Sequence, residues 1–194
     1  MARQSMREEL VRAALAEFHA RGYNAAGVKD ITDAAGTPKG SFYNHFASKE
    51  ALGVVALERY GAERRLQDLA DESVAPLPRL RAHFEFLRDE IVAYGYTHGC
   101  LLGNFGLEIA DHSETIRAAV REGLDQWHAK ITDVLAEAAR DGAVAADLDT
   151  AKTARFVLNA WEGAIVGARS DRTSESFDAF FDIVFGTLLA RPRP

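Results

Sequence analysis

One stretch, GTPKGSFYNHFASKE at residues 36–50, carries the side chains whose types and spacing most clearly indicate chemistry. Its polar residues are small, aromatic or cationic: Lys39, Ser41, Tyr43, Asn44 and His45. Hydroxyl, amide, imidazole and ammonium groups can bond phosphate oxygens and the edges of bases. The stretch therefore predicts a surface that contacts nucleic acid.

Two short helices joined by a glycine turn are expected to position these side chains. Apolar residues recur at spacings of three and four from Val28 to Ala35, which is typical of a one-sided helix ending at Gly36. Pro38 can open the second helix, because the N–H that proline lacks would be unbonded in the first turn anyway. This arrangement predicts a helix-turn-helix.

The run from Gly22 to Leu52 resembles the N-terminal DNA-binding domain of the TetR family of transcriptional regulators. The resemblance rests on the pairs and triplets Asp30-Ile31, Ala35-Gly36, Lys39-Gly40, Tyr43-x-His45-Phe46 and Ser48-Lys49-Glu50. The run departs from the family where members often carry Ser or Thr and this chain has Ala26 and Gly27. The departure predicts a less firmly capped helix at that point.

The resemblance implies that the helix from Pro38 to Asn44 enters a major groove and that a twofold dimer reads a palindromic operator in double-stranded DNA. It implies phosphate contacts for Lys39, Tyr43, His45 and Lys49. Candidates for base edges are Thr37, Ser41 and Asn44, and Gly40 completes the predicted DNA-binding set. Phe46 is expected to lie in the core instead.

Composition and charge limit the classes of protein that fit. The 194 residues are 47% hydrophobic and carry a formal net charge of -6. Residues 1–50 have seven Lys or Arg against six Asp or Glu, so the negative charge lies in the remainder. A broad basic patch is thereby excluded, and DNA contacts must come from a few placed groups.

The single Cys100 excludes an intramolecular disulfide, and no apolar run reaches the length of a membrane span. The first ten residues lack the apolar segment of a signal peptide. These features predict a cytoplasmic protein without membrane partners.

The periodicity predicts an all-α chain of about nine helices, with a three-helix head at residues 1–50 and a helical ligand-binding and dimerisation body at 51–194. No breaker follows Ser48 before Pro76, which predicts a connecting helix of about seven turns, some 36 Å long. A loop is expected at residues 71–79. Ser5 followed by Glu8 is a capping-box pattern and predicts the start of the first helix. The body helices are expected to begin with caps or breakers at Pro78, at Asp111 or Ser113, at Asp149, and at Ser174 or Ser176.

The last two helices carry more apolar surface than one face can bury, which is typical of association with another chain. We therefore expect these helices to pair with their twofold mates in a four-helix interface, as the resemblance also implies. The predicted interface residues are Phe156, Trp161, Phe177, Phe181, Val184, Phe185 and Leu188.

The glycine-rich stretch from Gly95 to Gly106 admits two interpretations, a loop and short helix in the core or a wall of a ligand pocket. The candidate ligand-binding or sensing residues are Cys100, Phe84, Tyr94, Leu101, Asn104, Phe105, Trp127 and Trp161. The aromatic members are equally compatible with an ordinary core.

The segment HGCLLGNFGLEIAD around Cys100 resembles that of a TetR subgroup that responds to reactive electrophiles and oxidants. His98 would favour a reactive thiolate if the fold brought the two side chains together. The alternative is an inert, buried thiol.

The function predicted from these features is a ligand-responsive transcriptional regulator, most simply a repressor, released from DNA by a small-molecule inducer or an electrophile. A DNA-binding protein without a small-molecule ligand is one alternative, and a helical enzyme is another. The histidines are scattered, without metal-ligand spacing, so the sequence predicts no catalytic residues, metal or cofactor.

Overall fold

The computed structural model describes residues 5–190. The first four residues of the predicted head, 1–4, and the last four of the predicted body, 191–194, lie outside the described residues. All regular structure in the described range is helical, as predicted. In chain order the helices are α1 (Met6–Ala25), α2 (Val28–Ala34), α3 (Lys39–Phe42), α4 (Lys49–Glu63), α5 (Pro76–Ala93), α6 (Leu101–Glu108), α7 (Glu114–Arg140), α8 (Thr150–Asp171) and α9 (Glu175–Ile183). A 3₁₀ turn covers Leu66–Ala70, and a π-helical segment, Val184–Leu188, continues α9.

The chain forms two compact units that interleave along the sequence. The first unit comprises the chain up to Glu63 together with Cys100–Gly123, and the second comprises Arg64–Gly99 together with the chain from residue 124 onwards. The predicted boundary at residue 50 stays a prediction.

In the first unit, α1 packs against α2, α4 and α6. Three buried rings form the centre of this core, with centroids 5.2 Å apart for Phe18 and Phe105 and 5.0 Å apart for Tyr23 and Phe105. Both pairs meet edge to face, an arrangement that adds to the stabilisation from burial.

The second unit is built around an aromatic cluster. The ring of Phe84 on α5 lies 5.1 Å from Trp161 on α8 and 5.0 Å from Phe180 on α9, and Trp161 stacks on Phe177 at 5.1 Å. These four side chains are at most 5% exposed. Because α8 and α9 pack against each other, their apolar surface is largely buried within this unit.

The predicted caps of α1, α7 and α8 are confirmed. The Ser5 Oγ accepts a hydrogen bond from the Glu8 N–H, the Ser113 Oγ from the Ile116 N–H at 3.0 Å, and the Asp149 Oδ1 from the Lys152 N–H at 3.0 Å. Polar side chains at these positions satisfy amides that have no partner inside the helix.

The predicted seven-turn connector is wrong, because α4 ends at Glu63. Arg65 adopts a left-handed conformation with φ of 55° and pairs with Asp68, while the Arg64 guanidinium bonds Glu90 on α5. These side-chain partners redirect the backbone where helix propensity alone would continue it. The predicted loop is also shorter than expected, since α5 begins at Pro76.

Four of the predicted interface residues are buried within the single chain, and their part in an interface stays a prediction. Trp161, Phe177, Phe181 and Val184 are at most 4% exposed in the single chain, so they pack its own core. Phe156 is 55% exposed and Leu188 37% exposed, and Phe185 is half-buried. The periodicity identified apolar residues correctly but could not divide them between the core and the surface.

Candidate nucleic-acid interface and sensing residues

The start of α2 has no capping side chain at Gly27, but a carboxylate from within the helix bonds back to it. The Asp30 Oδ2 accepts a hydrogen bond from the Gly27 N–H at 2.9 Å, and Asp30 also pairs with Arg21. A side chain at the third helical position that bonds back to the cap residue forms half of a capping box. The Gly27 amide is therefore satisfied, but the amides of the first turn of α2 receive no hydrogen bond from a capping side chain, as the departure from the family predicts.

The turn between α2 and α3 is built as predicted around Gly36, whose φ is 65°. The Thr37 N–H donates to the Thr32 carbonyl at 2.9 Å, which brings Thr37 underneath the turn. The Thr37 side chain is 9% exposed and its Oγ1 is buried without a hydrogen-bond partner among the described residues. The Thr37 hydroxyl is thus not exposed at the surface of the turn, and its base contact stays a prediction.

Helix α3 is shorter than the predicted helix from Pro38 to Asn44, and together with the turn that follows it at residues 43–45 it presents most of the other predicted DNA-binding residues to solvent. Phe42 and Phe46 are buried beneath it, and their burial leaves the opposite side of the helix outside. Tyr43 is 58% exposed, with its ring edge-on to Phe42 at 5.1 Å. Lys39, Gly40, Asn44 and His45 are exposed as well, and Ser41 is half-buried.

Lys49 is directed into the protein instead of towards a phosphate. Its Nζ donates to the carbonyls of Tyr23 at 2.9 Å and Ala26 at 3.3 Å, and it lies 4.3 Å from the centroid of the Tyr23 ring. Burial lowers the pKa of Lys49, and the nearby Glu108 carboxylate partly opposes that shift. The ammonium therefore bonds carbonyls at the end of α1, and the phosphate contact of Lys49 stays a prediction.

Arg7 is a cation that the sequence reasoning did not include in the site. Its guanidinium lies 5.1 Å from the centre of the Phe46 ring, and the residue is exposed. Arg7 lies on α1, far from α3 in sequence, so the residue spacing within the helix-turn-helix motif could not identify it.

The predicted sensing residues divide between the two units. Cys100, Leu101 and Phe105 are buried in the first, where Cys100 precedes α6, and Asn104 is half-buried beside them in sequence. Phe84, Trp127 and Trp161 are buried in the aromatic core of the second. Their rings pack directly on one another, so their role in ligand binding stays a prediction.

Tyr94, another candidate ligand-binding residue, lies at the surface and not in either core. It is 56% exposed and its ring stacks on His98 at 4.0 Å. Burial lowers the pKa of His98, and the positive charge of Arg169 lowers it further. The imidazolium that would favour a Cys100 thiolate is therefore disfavoured, and a sensor role for Cys100 stays a prediction.

A cleft of about 360 Å³ in the second unit was not predicted. It is lined by Arg65, Asp68, Val74, Arg79, His83 and Phe86, among others. The buried His83 accepts a hydrogen bond at Nε2 from the Trp127 Nε1–H at 3.0 Å, and burial lowers its pKa to about 4. The sequence placed His83 only as one of several scattered histidines.

Comparison with family models identifies the chain. A model described as "Bacterial regulatory proteins, tetR family" matches residues 10–53, and one described as "Tetracyclin repressor-like, C-terminal domain" matches residues 76–184. The chain belongs to the TetR family of transcriptional regulators. Within this TetR-family chain, the first match contains α2 and α3 and therefore the exposed residues Lys39, Tyr43, Asn44 and His45.

Two proteins similar in sequence are named as transcriptional regulators. The "HTH-type transcriptional repressor DhaR" of Mycobacterium sp. (strain GP1) is 35% identical over 97% of this chain and 95% of its own. The "Transcriptional regulator AcuR" of Cereibacter sphaeroides is 35% identical over 89% of this chain and 80% of its own. The TetR-family chain is accordingly a ligand-responsive, DNA-binding transcriptional regulator.

Solved structures share the fold. A structure titled "regulatory protein TetR from Rhodobacter sphaeroides" matches with a TM-score of 0.85 and 34% identity, covering 92% of this chain and 95% of its own. The reduced form of Escherichia coli NemR matches with a TM-score of 0.86 and 28% identity, covering 97% of this chain and 100% of its own.

Over residues 5–190, no helix combines the length and apolar character needed to cross a membrane.

Proposed function

We propose that this TetR-family regulator represses transcription by binding a palindromic operator as a homodimer and that a small-molecule inducer releases it. The observation that carries the proposal is the solvent-exposed surface of α3 and the turn after it, residues 39–45, where cationic, amide and aromatic side chains are exposed while Phe42 and Phe46 are buried. A non-enzymatic role agrees with the regulators to which the chain is similar.

The DNA contacts divide by chemistry. Lys39 and Tyr43 suit phosphate oxygens, since an ammonium and a phenol donate strong hydrogen bonds to anionic acceptors. Asn44 suits a base edge, since an amide both donates and accepts. His45 and Arg7 flank this set and add donors to the backbone of the operator.

The dimer is proposed to form through the exposed face of α8 and α9 in place of the buried residues. Val166 is 60% exposed on α8, and Ile183 is 57% exposed at the end of α9. Gly163 and Gly186 are also exposed, and neither would bring an added Cβ within 4 Å of another atom of the chain. Phe156 and Leu188 extend the same apolar character, which favours close approach of a second copy.

Replacement of Lys39 by alanine tests the DNA-binding assignment. Lys39 is exposed, so Lys39→Ala should leave the fold intact while it removes a charge-assisted contact, and operator affinity should fall at least about tenfold, or about 1.4 kcal/mol. Fluorescence anisotropy with an operator selected from random duplexes measures the change.

Lys152→Ala is the matched control, because Lys152 is also an exposed lysine and lies at the start of α8, outside the proposed DNA-binding residues. Unchanged operator affinity of Lys39→Ala, or an equal loss in both variants, would contradict the assignment. Operator release by no compound across a chemical library would favour the alternative of a DNA-binding protein without a small-molecule ligand.

A further inference from the structure

The corner of the backbone at residues 22–26, which leads from α1 into α2, is bonded by the side chain of a residue that follows α3. Lys49 is the first residue of α4, and its Nζ donates to the carbonyls of Tyr23 at 2.9 Å and Ala26 at 3.3 Å. Only Gly27 separates Ala26 from α2. The helix-turn-helix lies between Ala26 and Lys49 in the chain, so these hydrogen bonds close it at its base.

An aromatic ring supports the Lys49 ammonium in this position. The ammonium lies 4.3 Å from the centroid of the Tyr23 ring, a distance at which a cation is attracted to the face of the ring. Tyr23 is itself buried and meets Phe105 of α6 edge to face. An ammonium that moved to a phosphate would give up both carbonyl acceptors and the ring, which opposes such a movement.

Glu108, at the end of α6, holds the same corner through Asn24. The Asn24 N–H donates to the Glu108 Oε2 at 3.2 Å, and the Asn24 Nδ2 donates to the Glu108 carbonyl at 3.1 Å. The Glu108 carboxylate also acts on Lys49, since it opposes the lowering of the Lys49 pKa by burial. The corner is therefore bonded by two helices of the first unit, α4 and α6.

Bonds at the base of the helix-turn-helix affect operator binding differently from contacts with DNA. If such bonds are lost, a smaller fraction of the heads has the arrangement that binds, and the apparent affinity falls by that fraction. The complex that does form keeps all its phosphate contacts, so the dependence of affinity on salt concentration stays the same. Loss of a phosphate contact, by contrast, lowers the affinity and also weakens its dependence on salt.

We propose that Lys49 is a positioning residue, which closes the helix-turn-helix at its base and makes no contact with the operator. The bonds between Asn24 and Glu108 support the same corner from α6. The inference rests on the proposed operator binding. It replaces the phosphate contact that the family resemblance implies for Lys49 with a role inside the protein.

The salt dependence of operator affinity separates the two roles. Full-length Lys49→Met, Lys39→Met, Lys152→Met and unmodified protein are titrated with the selected operator at salt concentrations from about 50 to 200 mM. Lys49→Met should bind at least about tenfold more weakly, with an unchanged slope of log affinity against log salt concentration. Lys39→Met should also bind more weakly, but its slope should become shallower by about 0.9 for each head. Lys152→Met, at an exposed lysine of α8, should match the unmodified protein.

Two results for Lys49→Met would overturn the inference. A slope that becomes shallower as in Lys39→Met would show a phosphate contact, and an affinity equal to that of the unmodified protein would show that Lys49 only stabilises the fold. In either case the operator binding of the unmodified protein leaves the proposed function standing. An unmodified protein that selects no operator would contradict the proposed function and this inference together.

Asn24→Ala tests the corner without a change of charge. Asn24 is exposed, and its replacement removes the bond from its side chain to the Glu108 carbonyl. Operator affinity should fall at least about threefold with an unchanged slope. Unchanged affinity would overturn the inference, and this variant decides it alone if circular dichroism shows that Lys49→Met does not fold.

Discussion

Gly22 lies where the end of α1 meets Glu108 of α6. Its φ is 78°, and a Cβ at this position would lie 2.4 Å from a Glu108 carboxylate oxygen. The same carboxylate accepts from the Asn24 N–H at 3.2 Å, and the Asn24 side chain donates to the Glu108 carbonyl at 3.1 Å. A side chain at residue 22 would therefore break a set of contacts as well as strain the backbone.

Gly22→Ala is expected to destabilise the protein by about 1–3 kcal/mol, from the positive φ and the clash together. Urea denaturation measures the loss. Gly61→Ala is the control, because Gly61 lies in α4 and an added Cβ meets nothing within 4 Å. Stability equal to that of Gly61→Ala would refute the contact between Gly22 and Glu108.

His83 gives the stability of the protein a pH dependence. Its pKa is about 4 in the folded chain and 6.5 in a model peptide, so between these values the unfolded chain binds the extra proton. The contribution of His83 to the free energy of unfolding is therefore fully present at pH 7 and decreases as the pH falls below 6.5. Below pH 4 the whole contribution, about 3 kcal/mol, is lost.

Urea denaturation is measured at pH 7, 5.5 and 4.5. The free energy of unfolding should fall less between pH 7 and pH 4.5 for His83→Gln than for the unmodified protein, because glutamine can still accept from Trp127 but does not titrate. His112→Gln, at an exposed histidine, should follow the unmodified protein. The same decrease in the free energy of unfolding with pH for all three proteins would exclude a buried neutral His83.

At the scale of the elements, the capping residue at the start of a helix can also fix that helix against a neighbour. Ser113 caps α7 through the Ile116 N–H, and its hydroxyl also donates to Glu50 on α4, so one residue joins two helices of the first unit. The capping function is visible in the sequence, since serine followed by an apolar stripe is typical of a helix start. The bond to Glu50 is visible only in the fold.

Ser113→Ala should lower stability by about 1–2 kcal/mol, because the α7 amide loses its acceptor and Glu50 loses a donor. Thermal unfolding compared with Thr115→Ala, an exposed position in the first turn of α7, isolates the cap. A Ser113→Ala protein that melts with Thr115→Ala would rule out this contribution.

At the scale of the whole molecule, charge distribution makes association important for DNA binding. The head carries little net positive charge while the chain as a whole is at -6, so a single head has few phosphate contacts to add. Two linked heads gain affinity because the second binding event becomes intramolecular. The exposed Val166 and Ile183 are therefore expected to control operator affinity at a distance from α3 in sequence.

Val166→Arg combined with Ile183→Arg should yield monomers in sedimentation velocity and weaken operator binding at least about tenfold. Leu107→Arg serves as the control, since Leu107 is 85% exposed but lies outside α8 and α9. A dimeric double variant would show that the chains associate through another surface.

The amino-acid sequence by itself determined the all-α class, the helix-turn-helix and the caps at Ser5, Ser113 and Asp149. These features are local, since they depend on periodicity and on residues three or four positions apart. The exposed side chains of α3 belong to the same group, because Phe42 and Phe46 mark its buried side.

Only the tertiary structure decided where α4 ends, which apolar residues of α8 and α9 remain exposed, and how Lys49 and His83 are used. Each depends on a partner remote in the chain: Glu90 for Arg64, the Tyr23 carbonyl for Lys49 and Trp127 for His83. The type of a residue limits the bonds it can make, but the folded chain decides which partner comes within reach.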